Sequence, residues 1–507
     1  MAFFLGVPNW GRADELRLVY PTSPVSLDPH KWPRDLAAEP IIMTVYGRLI
    51  GLKRDQGQLD TSESLAYTIR VSDDDLTYTV SLREGLTFAD GHPVNSVAAL
   101  FSFDRLMSSE AGRYLFPHLR GFNIIGDHTF SLVLDRPFPP FMASLALPQA
   151  SLISPKLRDQ PPEYLNNRSL GAGRFMVESL SSESLSIVLR PDLPSRPKLD
   201  RVTFFYASDP QKRLGLFLTK EAHLLVDPPA TGWPDDRVLL ELPTWDTRFL
   251  AFNLKRPYLA ILGAREALGY LARATFSQEK FRPSGYLPAG LTSLASPPAL
   301  AGGEARAKEL LRAIGPPKVP LTLVYPGEAK EARSDAEKLA RAFGAFDIPV
   351  NIVPLIGEAG RALAESADYD LWLDSRAPTI PSPEMWLGQF LESKAAGRGN
   401  PAYFQNRAAD ELITGFRGSL ARDQRERKIG DLDLLAVKEA PYAFLYQKSV
   451  KFLVDRRLAK QKTHPMWPTV WPIVETNLNP FKDVRTKPPA PEPLVREFNE
   501  TVAEPWE

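Results

Sequence analysis

Hydrophobic and polar positions alternate in several short runs of this chain. In "ELRLVY", Glu15 to Tyr20, the residues Leu16, Leu18 and Tyr20 fall on one side of a period-two pattern, which predicts a strand. "LTYTVSL" is cleaner, with Leu76, Tyr78, Val80 and Leu82 on one face and Thr77, Thr79 and Ser81 on the other, so one side of this strand meets water. Gly85 and the Asp90-Gly91 pair then supply turns, and Asn95 or Ser96 stands where it can cap a helix carrying Val97, Leu100 and Phe101. "HTFSLVL", His128 to Leu134, alternates again. These elements predict a compact antiparallel subdomain.

Farther along, the period changes. "EARAKELLRAIG", Glu304 to Gly315, is amphipathic, with Leu310, Leu311 and Ile314 available to a core and Gly315 as its stop. "VPLTLVY", a second helix from about Ser334 to Phe346, "PVNIVPL" and "YDLWL" run strand, helix, strand, strand, the order of an α/β lobe with a largely buried sheet. No repeat of fixed period and no heptad run occurs. The tail "TKPPAPEPLVREFNETVAEPWE" is proline-rich and charged, which predicts a surface-wrapping or mobile end.

Composition narrows the function classes. A length of 507 residues suggests about three domains, and 44% hydrophobic content is ample for large cores. Lys plus Arg equals Asp plus Glu at 61 each, so no net field draws nucleic acid or an anionic membrane. The absence of cysteine removes disulfides, thiolate catalysis, Cys-type zinc sites and a lipid-modified N-terminal Cys together. No apolar run reaches the ~18 to 20 residues that span a bilayer. At residues 1–13, "MAFFLGV" and the small-x-small "GRA" before Asp14 leave two readings open: a truncated export signal without its basic region, or an ordinary N-terminal arm.

Catalytic motifs are missing. His30, His92, His118, His128, His223 and His464 are isolated, with no metal-ligand spacing, and no G-x-S-x-G elbow, Walker loop or G-x-G-x-x-G occurs. No catalytic residue, metal or cofactor is expected. Several tryptophans stand beside prolines and polar residues: Trp245 in "PTWDTRF", and Trp467 and Trp471 in "HPMWPTVWPIV". Rigid indoles suit a ligand surface, because few rotamers are frozen on binding.

"SPVSLDPHK", "VYGRLIGL" and "VSDDDLTYTVSLREGLTFADGHPVNSVAALFSFDRLM" resemble the opening third of the family 5 extracellular solute-binding proteins, the oligopeptide and dipeptide receptors of ABC importers. The likeness continues in order through "IIGDHTFSLVLDRPFPPFMASLALPQASLISPK", "LGAGRFMVESL", "RFLAFNLKRPYLAILGAREALGYLAR", "ARAKELLRAIG", "NPAYFQNRAADELI" and "RDQRERKIGDLDLLAVKEAPYAFLYQKSV", covering most of residues 15 to 457. It implies an α/β, two-lobed type II periplasmic-binding-protein fold, the Venus flytrap, with an additional small α+β domain. Lobe I would comprise residues 14–36, 152–253 and 464–507, the small domain 37–151, and lobe II 254–463.

The resemblance also implies a function. The chain would be a monomeric, non-enzymatic receptor, exported to the periplasm without a lipid anchor. It would capture a small-molecule or short-peptide ligand between its lobes by hinge closure, then deliver it to ABC permease subunits in the inner membrane. Closure needs a ligand that binds the closed state better than the open one.

In peptide-binding members, a loop of each lobe meets the ligand. Here the first is "TSPV", Thr22 to Val25, where Ser23, Pro24 and Val25 are candidates, although Pro24 has no N–H to give. The second is "LWLDSRAPTIPSPEMWL", which usually reads G-W-x-x-D-Y-x-D-P and uses an acid to pair with an α-ammonium. In this chain Pro383 matches, Ser382 stands for the Asp before it, Thr379 or a neighbour for the earlier acid, and Arg376 falls near the Trp position. Asp374 and Glu384 are the nearest carboxylates, while Arg376 offers a fork for carboxylate or phosphate. Asp374, Arg376, Thr379 and Ser382, with Trp245, Arg248, Trp467 and Trp471, complete the candidate ligand-binding set. Two further readings stay open: the same fold binding a non-peptide anionic or amphipathic solute, and an envelope scaffold or sensor that lost transport.

Overall fold

The computed structural model describes residues 14–31, 35, 37–52, 59–60, 64–161, 163–166, 168–193, 199–291, 303–397, 399–418, 422–455 and 495–497. The expected N-terminal signal or arm at residues 1–13 lies outside them. The chain divides into two compact units. Among the described residues, the first gathers those up to Arg136, Ser144–Leu242 and those from Val450, and the second is built mainly from Pro243–Ser449.

In the first unit, strand Asp14–Tyr20 pairs in parallel with Leu199–Tyr206 and with Leu224–Val226. Two antiparallel strands, Ser184–Leu189 and Phe175–Leu180, extend the sheet beyond Leu199–Tyr206. Leu16, Leu18 and Tyr20 enter a core with Phe204 and Ile187, as their alternation predicts. Val19 is equally buried on the other face, against Leu225 and Leu453. Burial on both faces is the usual state of a parallel strand.

A second sheet in this unit carries the expected subdomain, with Thr77–Leu82 antiparallel to both Ala66–Ser72 and Thr129–Leu134. Tyr78, Val80 and Leu82 are buried, and Thr77, Thr79 and Ser81 are half-buried. Val495–Glu497 of the tail adds an antiparallel edge beside Arg70–Ser72. Asn95 caps helix Ser96–Ser108 by accepting from the Ala98 N–H at 2.9 Å. Of the three apolar residues named for that helix, Phe101 is half-buried and packs against the core, whereas Val97 and Leu100 are exposed, and Ala98, Ala99, Ser102, Phe103 and Leu106 are buried. Small side chains let the helix approach closely, and the Ser102 hydroxyl is satisfied by the Ala98 and Ile153 carbonyls.

The glycines of "LGAGRF" serve a similarly close contact. A Cβ on Gly171 would stand 2.2 Å from the Val45 carbonyl oxygen, and one on Gly173 2.4 Å from that of Thr44, at the end of helix Glu39–Val45. Neither neighbour is a side chain that could swing away. Gly171→Ala is therefore expected to destabilise the first unit by about 2 kcal/mol through overpacking. Urea unfolding of the variant checks this, and an unchanged midpoint would refute the contact.

The second unit holds strands in the order Val350–Leu355, Leu321–Pro326, Leu371–Arg376, followed by residues 243–252 of strand Arg237–Phe252. The first two pairings are parallel and the third antiparallel. Parallel neighbours need crossovers. Helix Lys330–Gly344 supplies the first, and helix Gly357–Ser366, absent from the predicted order, the second. Helix Gly303–Ile314 ends at Gly315, whose φ of +76° suits the left-handed stop predicted for it.

Buried Arg265, on helix Leu262–Thr275, ties two helix ends together. It donates to the carbonyls of Leu259 and Ala260 at the end of Pro257–Ala260, and to that of Glu439 at the end of Arg422–Glu439. A cation at two helix C-termini is favoured by both dipoles. No described helix is long and apolar enough to cross a membrane.

Candidate functional site

The first-unit loop is held by one carboxylate. Asp35 accepts the Val25 amide at 2.7 Å and the Ala37 and Ala38 amides at 3.0 and 3.3 Å, leading into helix Glu39–Val45. The Val25 side chain is 76% exposed, Pro24 is buried and Ser23 half-buried. Pro24 has no N–H and that of Val25 is engaged, so neither residue offers a free main-chain donor.

Behind the loop, "SLDPHK" forms a charged anchor. Arg105 grips Asp28 with two bonds, at 2.9 and 2.5 Å, and Asp28 also accepts the His30 amide. The His30 ring contacts the Ser151 carbonyl at 3.1 Å. Burial, helped by the nearby Arg105 charge, pushes the imidazole down to about 4. Burial alone would raise the Asp28 carboxyl, but the bonds and charge of Arg105 hold it below its ordinary value.

In the second unit, strand Leu371–Arg376 ends in the proline-rich corner. Asp374 is engaged locally, accepting from the Ser375 amide at 2.8 Å and the Trp372 indole at 3.4 Å. Arg376 neither pairs with Asp374 nor points to open solvent. It donates to the Gly399 carbonyl, and its guanidinium lies over the rings of Phe249 and Phe390, at 5.5 and 5.3 Å from their centroids. Thr379 is half-buried in the corner itself.

The corner then becomes a helix. Fully buried Ser382 caps helix Pro383–Leu391, accepting from the Met385 amide at 3.2 Å and donating to Glu384 at 2.5 Å. Pro383 at the first helical position loses nothing by lacking an N–H. Glu384, only 3% exposed, meets Arg425 at 3.3 Å. The prolines and Ser382 thus turn a buried strand into a buried helix, and both nearby carboxylates have internal partners.

Trp245 and Arg248 lie in strand Arg237–Phe252 and are turned inward. Trp245 is 1% exposed and donates to the Ala289 carbonyl at 3.2 Å. Arg248 is 2% exposed and faces Asp335 at 3.2 Å, a carboxylate that also accepts the Tyr446 hydroxyl at 2.5 Å. Burial opposes the Arg248 charge, yet Tyr446 and Asp335 keep its pKa raised. Strand pairing sets Arg248 beside Ser375 and Thr247 beside Arg376, so these candidates share one stretch of sheet. Trp467 and Trp471 lie outside the described residues.

Asp35, Phe249, Phe390, Gly399 and Arg425 were not among the expected residues. Asp35 had a signal, since an Asp shortly before a helical run is a capping pattern. Gly399 and Arg425 act across long chain separations and had none. Among the described residues, no group of three or more His, Asp or Glu is placed to hold a metal ion.

The model of bacterial extracellular solute-binding proteins, family 5 middle, matches residues 60–398. The probable D,D-dipeptide-binding periplasmic protein of Escherichia coli K12 is 25% identical over 451 residues, 84% of this chain and 87% of that protein. Among solved structures, the nickel ABC transporter protein of Bacillus halodurans superposes with a TM-score of 0.75 at 19% identity, over 89% of this chain and 98% of its own. The dipeptide-binding protein of Pseudoalteromonas sp. SM9913, in complex with Met-Leu, does so with a TM-score of 0.69 at 19% identity, over 89% and 97%. These likenesses show the fold, mixed α/β of the type II periplasmic-binding class. The match over residues 60–398 makes this chain a member of the family 5 bacterial extracellular solute-binding proteins.

Proposed function

We propose that this solute-binding protein works outside the cytoplasmic membrane, taking a peptide or peptide-like solute and handing it to the permease subunits of an ABC importer. The observation that carries this reading is the family match across residues 60–398, supported by a relative named for D,D-dipeptide binding. The segment boundaries given above, with a small domain at 37–151, belong to the same proposal.

The chemistry of the two loops favours a solute whose amino end is not received by a carboxylate. Asp374 and Glu384 both have partners inside the second unit, and Ser382 and Thr379 stand where acids were expected. Arg376 gives a bond to Gly399 and its faces to two rings, so it is not a free fork for an anion either. What remains at the corner is largely neutral. A peptide with a blocked or modified amino end fits this better than a free dipeptide.

The test begins with denaturing the purified protein and identifying released small molecules by mass spectrometry. Titration then compares a free dipeptide with its N-acetyl form. Removing one partner from a desolvated charge pair costs on the order of 2–5 kcal/mol, which is roughly thirtyfold or more in affinity. Acetylation is expected to change affinity by less than about fivefold if no carboxylate receives the ammonium. A loss of roughly a hundredfold would overturn the blocked-end reading, and recovery of only non-peptide solutes would overturn the peptide one.

A further inference from the structure

Helix Leu262–Thr275 carries Arg265, Gly269 and Arg273 at four-residue spacing, so the three share one face. That face forms a wall of a cavity of about 30 Å³ within the second unit, also lined by Phe252, Tyr286 and Phe444. Gly269 leaves the middle of the wall bare: a Cβ there would find its nearest neighbour, Ala443 Cβ, at 3.9 Å. Ser284, exposed to solvent, marks the mouth. Among the described residues, the lining contains two guanidinium groups and no carboxylate.

The two arginines are compensated differently. Arg265 commits its N–H groups to the carbonyls of two helix ends, whose dipoles answer its charge. Arg273 has no such setting. It donates once to the Phe444 carbonyl at 2.8 Å and once to that of Pro283 at 2.9 Å, so that, among the described residues, part of its fork of five N–H groups is unused. Burial lowers its pKa and Arg282 nearby lowers it further, while Tyr286 acts in the opposite sense. Glu439 and Glu266 act on Arg265 at the other end of the wall. An under-compensated cation beside apolar walls attracts a negative charge more strongly than one in water.

We propose that this cavity binds a small monovalent anion, a halide or the carboxylate of a formate-sized acid, on the unused N–H groups of Arg273. The volume holds roughly two water molecules, which admits such an anion and is too small for a phosphate or a peptide. The site is separate from the loops discussed above and does not depend on which solute they take.

Thermal unfolding of the full chain tests it, in sodium formate or bromide against sodium methanesulfonate at equal ionic strength. The bulky methanesulfonate controls for screening. A higher midpoint is expected in formate and bromide, because a ligand of the native state stabilises it by mass action. Arg273→Gln should remove the difference. Ser284→Trp, which plugs the mouth and leaves both arginines in place, should remove it too, and keeps the test valid if the first variant does not fold. Equal midpoints in all three salts for the parent protein, or a difference that survives Ser284→Trp, would overturn the proposal.

Discussion

Glu384→Gln is expected to lower the stability of the second unit by about 3–5 kcal/mol, the usual cost of breaking a buried ion pair by removing one partner. Glu384 and Arg425 have side-chain exposures of 3% and 2% and approach to 3.3 Å, so neither charge can turn to water when the other is lost. Gln retains the size of Glu and an acceptor for the Ser382 hydroxyl, which leaves the charge as the main change. The arginine would then be buried facing an amide. Hydrogen exchange across helix Pro383–Leu391 localises the effect, since that helix begins at Glu384's own turn. The double variant Glu384→Leu with Arg425→Met should recover most of the loss, because a well-packed apolar pair is often as stable as the ion pair it replaces. A single-variant cost below about 1 kcal/mol would mean that water reaches the pair.

No local pattern joins Glu384 to Arg425, whereas other features are written in the order of residues. Tyr78 and Val80 announced their burial through alternation, because period two has one physical meaning in a half-buried strand, whereas Val19 is buried against the alternation of its strand. Helix Ser96–Ser108 was legible as a helix but not in its orientation. The larger apolar residues Val97 and Leu100 outweigh Ala98 and Ser102 on any hydrophobic scale, yet the close approach selects the smaller ones. Helix Gly357–Ser366 has no place in the strand, helix, strand, strand order, although it decides the parallel pairing around it.

For the candidate site, position along the chain was readable and direction was not. Arg376 does stand at the end of a buried strand, but its hydrogen-bond partner is Gly399 and its ring partners are Phe249 and Phe390. Each of these belongs to a different segment, and no local pattern joins them. Trp245 illustrates the same gap: an indole beside a proline can line a cleft or fill a core, and here its N–H finds the Ala289 carbonyl inside the unit.

Stability should also fall between pH 6.5 and 4, and His30 is the residue to blame. An unfolded histidine takes its proton near 6.5, whereas burial beside Arg105 holds the folded one at about 4. As pH falls through this window, the unfolded chain binds a proton that the native state refuses, so unfolding becomes easier at each step. At about 1.4 kcal/mol per pH unit, the loss is on the order of 3 kcal/mol, and His30 adds nothing further below pH 4. Asp28 faces the same ring and has its folded pKa lowered, so its contribution is present above the ordinary carboxylate pKa and drains away only in stronger acid. The two neighbours therefore separate along the pH axis. His30→Gln removes the titrating group while offering an amide N–H in place of the ring contact with the Ser151 carbonyl. Denaturant unfolding measured across this range should show the slope flattened in the variant, with the acid limb below it kept. If the parent and His30→Gln lose stability in parallel from pH 6.5 to 4, the buried imidazole is not the source of the acid sensitivity.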